Sequence, residues 1–246
     1  MQSKRSAKHA ISMRETCVGV DGCSSGWVAA IATGFQLKTA VYADWLTLVR
    51  DIPPDATIAV DIPIGLPASG ARACDMEARR LLGRPRASSV FPAPIRAVVG
   101  NSGTHAELSA LHCRIDGRGL TQQTYHILPK IRQVDRWLIE HGEDRGRVFE
   151  IHPEVSFATW NDRRPMRYHK RTAQGREERE CLIQAAWPDQ RDPLSNGLTS
   201  ASCRQDDLND AIAALWSAQR IATRSQARMP TQSQEDEVGL QMQIVA

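Results

Sequence analysis

The stretch "TCVGVDGCSSGWVAAIATGFQLKTAVYA", residues 16–43, decides how this chain folds. "TCVGVDG" (Thr16–Gly22) is nearly continuous in apolar character, as in a strand covered on both faces. It ends on a carboxylate, Asp21, and a polar turn, Ser24-Ser25. "WVAAIATG" (Trp27–Gly34) reads as a second strand and "FQLKTAVYA" (Phe35–Ala43), with its alternation, as a third. Gly26 and Gly34 punctuate them, so three antiparallel strands in a meander are expected.

Further along, Asp44 can cap a helix over Asp44–Ile52. "ATIAVDIPIG" (Ala56–Gly65) reads as a fourth strand whose apolar run again stops at an aspartate, Asp61. A helical stretch then interrupts the sheet pattern over about 66–146. "ACDMEARRLLG" (Ala73–Gly83) is an amphipathic helix closed by Gly83, followed by a proline-broken loop over Arg84–Ala97. Thr104 and Glu107 have capping-box spacing at the start of the next helix. Thr121–Gly142 is a long helix, expected to kink or restart at Pro129. "RVFEIHP" (Arg147–Pro153) returns to strand and carries Glu150, with Glu154 just beyond it. Short helices follow from Pro153 and over Gly175–Trp187. After a connector over Pro188–Cys203 comes a strong helix, Asp206–Ala222, with acids in its first turn as the macrodipole favours. "GLQMQIVA" at the end alternates like a last strand.

The bulk numbers fit this α/β reading. Of 246 residues, 41% are hydrophobic and 24% charged, which suits one domain over 16–246. The net charge of +3 is uneven: Lys4, Arg5, Lys8 and Arg14 stand in the first 14 residues without an acid, so the remainder sums to −1. Residues 1–15 read as a basic, disordered extension. No run is long enough for a membrane helix and no export signal is visible. The six cysteines form no C-x-x-C pair, which leaves zinc unsupported. Free, mostly buried thiols and a cytoplasmic location are expected.

The carboxylates carry the chemistry as a set. Asp21 and Asp61 end strands, Glu150 lies in one, and Asp206, Asp207 and Asp210 open a helix. Asp210 shares a helix face with Asp206 and Asp207. Strand ends of an α/β sheet meet at one crevice, where ligands sit. Converging carboxylates resist ionisation beside one another, and a hard cation such as Mg²⁺ or Mn²⁺ relieves that. Two such ions can drive phosphodiester cleavage. Singly, each acid has a plainer role: turn acceptor for Asp21 and Asp61, helix cap for Asp206 or Asp207, partner of Arg147 for Glu150.

Taken together, "VGVDGCSSGW", "AVDIPIGLP", "CDMEARRLLG", "SSVFPAP", "GLTQQTYHILPKIRQVD", "VFEIHPEVSF", "HKRTAQGREER", "DDLNDAIAALW" and "GLQMQIVA" resemble the DUF429 family, predicted nucleases with an RNase H-like fold. The resemblance implies a five-stranded mixed sheet, order 3-2-1-4-5, flanked by helices. It implies that Asp21, Asp61 and Asp207 or Asp210 are metal ligands for Mg²⁺ or Mn²⁺, with Glu150 a further catalytic carboxylate, and that nucleic acid is the partner. Family members commonly carry proline and glycine where this chain has Ser24 and Ser25. The basic N-terminal extension is also outside the family pattern.

Residues 163–176, "RRPMRYHKRTAQGR", hold six basic residues and no acid. Lys170, Arg171 and Arg176 are candidate phosphate contacts, and Tyr168 and His169 can stack on bases. Ser24, Ser25, Lys130 and the Ser88-Ser89 turn are further anion candidates. The competing functions are an ATP- or phosphate-binding protein of the sugar-kinase or actin-like type and a non-catalytic binding module. Sugar kinases and actin-like ATPases share the strand, Asp-Gly and small-residue turn. They also carry a second glycine-rich loop, echoed here only by "IDGRGL" (Ile115–Leu120) within the helical region.

Overall fold

The computed structural model describes residues 15–34, 36–188 and 203–246. The basic extension expected over 1–15, apart from Glu15, and most of the connector expected over Pro188–Cys203 lie outside the described residues. The opening stretch forms β1 (Thr16–Cys23), β2 (Gly26–Thr33) and β3 (Gln36–Tyr42). The pair Cys23↔Gly26 leaves Ser24 and Ser25 as a two-residue hairpin loop. β4 (Thr57–Val60) and β5 (Val148–Glu150) complete a mixed sheet of order β3-β2-β1-β4-β5, as expected. β1–β2 and β2–β3 are antiparallel; β1–β4 and β4–β5 are parallel.

The strand period of two sorts β1 between two cores. Val18 and Val20 join Ile58 and Val60 on one face, under α1 (Trp45–Asp51) and the helical insertion. Cys17 and Cys23 point to the other face, together with Ala59. That face is covered by α8 (Gln205–Ala222). Gly19 also belongs to it. A Cβ there would lie 1.9 Å from the backbone nitrogen of Leu215 and 2.1 Å from the carbonyl oxygen of Ala211. Only glycine lets helix and strand backbones come so near.

The insertion between β4 and β5 holds α2 (Ala73–Arg86), α3 (Arg96–Val99), α4 (His105–Asp116) and α5 (Gln122–Glu140). The caps of α1 and α4 agree with the sequence. Asp44 accepts from the Thr47 amide at 2.7 Å, and Thr104 and Glu107 form the expected reciprocal box. The first part of α2 ends at Gly83, where the backbone turns to φ 57°. The proline-broken loop holds a 3-10 turn, Ala87–Ser89, and α3, both too short for their periodicity to show. Of the kink or restart expected at Pro129, the restart does not occur: α5 runs on through it, with Thr124, Leu128, Ile131, Val134 and Leu138 buried along its length.

α6 (Pro153–Trp160) begins on Pro153, and α7 (Ala173–Ala186) is capped by Thr172. The terminal strand, β7 (Gln241–Val245), pairs with β6 (Arg228–Glu235), for which the polar sequence gave no signal. The two form a separate hairpin. Asp236 pins its turn, accepting from the Leu66 and Leu240 amides at 2.9 Å each, with Arg96 against the same carboxylate. No described helix is long and apolar enough to cross a membrane. All six cysteines are unpaired thiols, four of them buried, with Cys113 and Cys181 exposed.

Candidate functional site

Register brings Asp21 and Asp61 together. Val20 of β1 is level with Val60 of β4, so each aspartate follows a paired residue. The Asp61 amide donates to the Val20 carbonyl at 3.0 Å, locking the two strand ends side by side. One oxygen of Asp21 accepts from the Gly22 amide at 2.7 Å, a turn contact that leaves the rest of the buried carboxyl free for other partners.

α8 supplies the next acids. Asp207 and Ala211 are one turn apart, and Ala211 touches Gly19, two residues before Asp21 on the same strand face. The close approach at Gly19 therefore carries the first turn of α8 to the end of β1. Asp21, Asp207 and Asp210 are all buried there. Burial, then Asp61, then Asp210 push the Asp21 carboxyl well above the ordinary aspartate range. Asp61 is raised by burial, with Glu154 adding to it and His152 and Lys170 opposing. Asp210 is raised to about 6 by burial, against the pull of Lys170. These are the signatures of acids sharing one low-dielectric space.

The two candidates on α8 differ. Asp207 accepts from the backbone N–H of Arg204 at 3.2 Å and from its guanidinium at 3.3 Å, so it closes the helix start. Asp210 lies one turn deeper and receives the ammonium of Lys170. Asp206, half-buried, faces Arg204 at 3.6 Å and Arg171 at 3.9 Å.

Glu150 is placed elsewhere. It is level with Val60 and Val20, so its side chain leaves the sheet on the opposite face from the aspartates. There Arg72 binds it through two N–H groups at 2.7 Å each, and the Ile64 amide donates at 2.7 Å. Asp75 takes the rest of the same guanidinium at 2.6 Å and 3.2 Å. Burial raises the Glu150 carboxyl to about 7 despite Arg72. The acid that joins the aspartates in its stead is Glu154, in the first turn of α6. It is buried, paired with Arg179 at 2.5 Å, and bears on both Asp61 and Asp210. Its position just past a parallel strand end was the available signal. His152, beside it, bonds the Ser89 carbonyl at 3.2 Å.

A family model described as "Protein of unknown function (DUF429)" matches residues 19–235. The chain belongs to the DUF429 family. Comparison with curated proteins and with solved structures gave no match.

In this DUF429 chain the basic candidates fall around the carboxylates. Lys170 enters the cluster itself. Arg171 is exposed beside Asp206, and exposed Arg176 bonds the Arg171 carbonyl at 3.0 Å. Lys130 reaches the hairpin, donating to the Gly26 carbonyl at 2.5 Å and lying 4.8 Å over the Trp27 ring. Asp21 and Asp207 both act on its charge. Ser24 and Ser25 are exposed at the hairpin tip. Ser88 and Ser89 donate to the Pro85 and Arg86 carbonyls at 2.8 Å each, so those hydroxyls are used locally.

The donor set is entirely carboxylate oxygen, the chemistry of a hard divalent cation. One buried oxygen of Glu154, Oε2, has no hydrogen-bond partner, a cost that ligation or a water removes. Among the described residues no three His, Cys, Asp or Glu side chains already close on one point as a finished metal cage. Carboxylate oxygens as a donor type suit Mg²⁺ or Mn²⁺, and Lys170 is the cation seated among them.

Proposed function

We propose that this protein is a divalent-metal-dependent hydrolase of phosphodiester bonds in nucleic acid. The observation that carries the reading is the meeting of Asp21, Asp61 and Asp210 at the C-terminal ends of parallel strands, each with a raised carboxyl pKa. Buried acids held in mutual repulsion are costly to a fold, and such arrangements concentrate at functional sites.

Asp21, Asp61 and Asp210 would hold the ion, with Asp207 beside them. When bound, Mg²⁺ or Mn²⁺ supplies a Lewis acid for the phosphoryl oxygens and an acidified water. The chain's own residues do the rest. Lys130 and Lys170 both bring positive charge to Asp21, which favours the approach of a phosphate. Arg171 and Arg176 offer exposed guanidinium groups next to that point, which suits a backbone of repeated phosphates. The neighbouring Tyr168 is exposed and gives one flat ring for an unpaired base.

The test is cleavage of labelled single- and double-stranded DNA and RNA by the full chain with Mg²⁺ or Mn²⁺. Asp21→Asn is expected to lower turnover by about a hundredfold or more. Cleavage that persists in Asp21→Asn, or that ignores a chelator, would overturn the assignment.

A further inference from the structure

Lys170 is an unusual lysine. Lysine side chains normally bury the stem and keep the ammonium in water. Here the head is turned inward onto Asp210, with Asp21 and Asp61 also acting on it, and only a third of the side chain is exposed.

Its position is built, not incidental. Lys170 sits in the segment joining α6 to α7, and α7 grips that segment at several points. Glu178 accepts from the Arg167 and Tyr168 amides at 2.9 Å and 3.2 Å. Arg179, itself buried, donates to the Tyr168 carbonyl at 3.3 Å while holding Glu154. A Cβ at Gly175 would lie 2.0 Å from the His169 carbonyl oxygen, so helix and segment are in direct backbone contact just before Lys170.

Charge pairing around the cluster then leaves a simple remainder. Glu154 is matched by Arg179, Asp207 by Arg204, and Asp206 faces Arg204 and Arg171. Asp21, Asp61 and Asp210 remain, and the only ammonium bonded to them among the described residues is that of Lys170. Carboxylates that ligate an ion are deprotonated, so these three with the one ammonium bonded to them carry a net charge of −2, which one divalent ion cancels. A second divalent ion would give this buried space an excess of positive charge. It would also have to compete with Lys170 for Asp210.

We propose that Lys170 is a resident cation standing in place of a second metal, so that the site takes one divalent ion and not two. This rests on the metal-dependent reading above. In that arrangement Lys170 is a positioning residue. It holds Asp210 and would offer its remaining N–H groups to a phosphate oxygen.

The experiment is Mn²⁺ binding to the full chain, followed by the loss of the free Mn²⁺ paramagnetic resonance signal and requiring no turnover. The wild-type chain is expected to bind one Mn²⁺. Lys170→Met is expected to bind a second, or to bind the first at least tenfold more tightly. Lys170→Arg, which keeps the charge, is expected to stay at one. Lys170→Gln is the substitute where Lys170→Met fails to fold, as judged by circular dichroism. Two ions on the wild-type chain overturn this inference and leave the metal-dependent reading standing. So does a single ion of unchanged affinity in the charge-removing variant. No binding to the wild-type chain overturns both.

Discussion

Gly19 of β1 and Leu215 of α8 meet backbone to backbone, with room for no side chain between them: a Cβ on Gly19 would lie 1.9 Å from the Leu215 nitrogen. This contact sets how far α8 sinks onto the sheet, and hence whether Asp207 and Asp210 reach the end of β1. Gly19→Ala is expected to destabilise the protein by about 3 kcal/mol or more, at the upper end of overpacking costs because backbone must move. Urea unfolding measures it. Gly100→Ala is the control, since a Cβ there meets nothing nearer than 4.0 Å and its change should be within about 0.5 kcal/mol.

Arg72 binds two buried carboxylates, Glu150 and Asp75. Removing it leaves both uncompensated. Arg72→Met is expected to cost about 3–5 kcal/mol, the range for breaking a buried pair. Glu150→Gln is expected to lower the melting temperature while leaving the proposed metal-dependent turnover of the remaining folded protein within a fewfold of wild type. A loss of turnover matching that of Asp21→Asn would place Glu150 in the reaction after all.

Acidity acts in a defined direction on the metal-free protein. Asp21, Asp61, Asp210 and Glu150 all have carboxyls raised in the folded state, with Asp210 at about 6 and Glu150 at about 7. A raised carboxyl binds more protons folded than unfolded, so stability falls as pH climbs from the unfolded value through the folded one. Asp144 and Asp236 are lowered and oppose this only in stronger acid, where their contribution is lost. Melting temperature without metal is therefore expected to be higher near pH 5 than near pH 7.5, and saturating Mn²⁺ should flatten that difference. A melting temperature that rises steadily from pH 5 to pH 7.5 without metal would contradict the shared burial of these acids.

Glu178 is exposed enough to be replaced without touching the core, yet it caps the Arg167 and Tyr168 amides. Glu178→Ala is expected to raise hydrogen exchange at those two amides about tenfold, with a global cost near 1 kcal/mol. Unchanged exchange would mean that the segment carrying Lys170 is fixed by other contacts.

The five strands of the main sheet and the longer helices that cover them were legible in local sequence. Apolar runs ending at Asp21 and Asp61, the caps at Asp44 and Thr104, and the acidic start of α8 are local patterns, and local forces decide them. That Asp21 and Asp61 each end a strand was legible for the same reason; that the two strands are neighbours was implied by the family resemblance and is seen in the sheet order. Side-chain direction across the sheet was not legible. Glu150 sits in a strand like the one before Asp61, but the β4–β5 register puts it level with Val60, and a step of one residue sends it through the opposite face to Arg72. Register is fixed by the packing of both cores, which no single segment contains. The pairing of β6 with β7, the entry of Lys170 into the aspartate cluster and the recruitment of Glu154 were settled in the same way, by contacts between residues far apart in the chain.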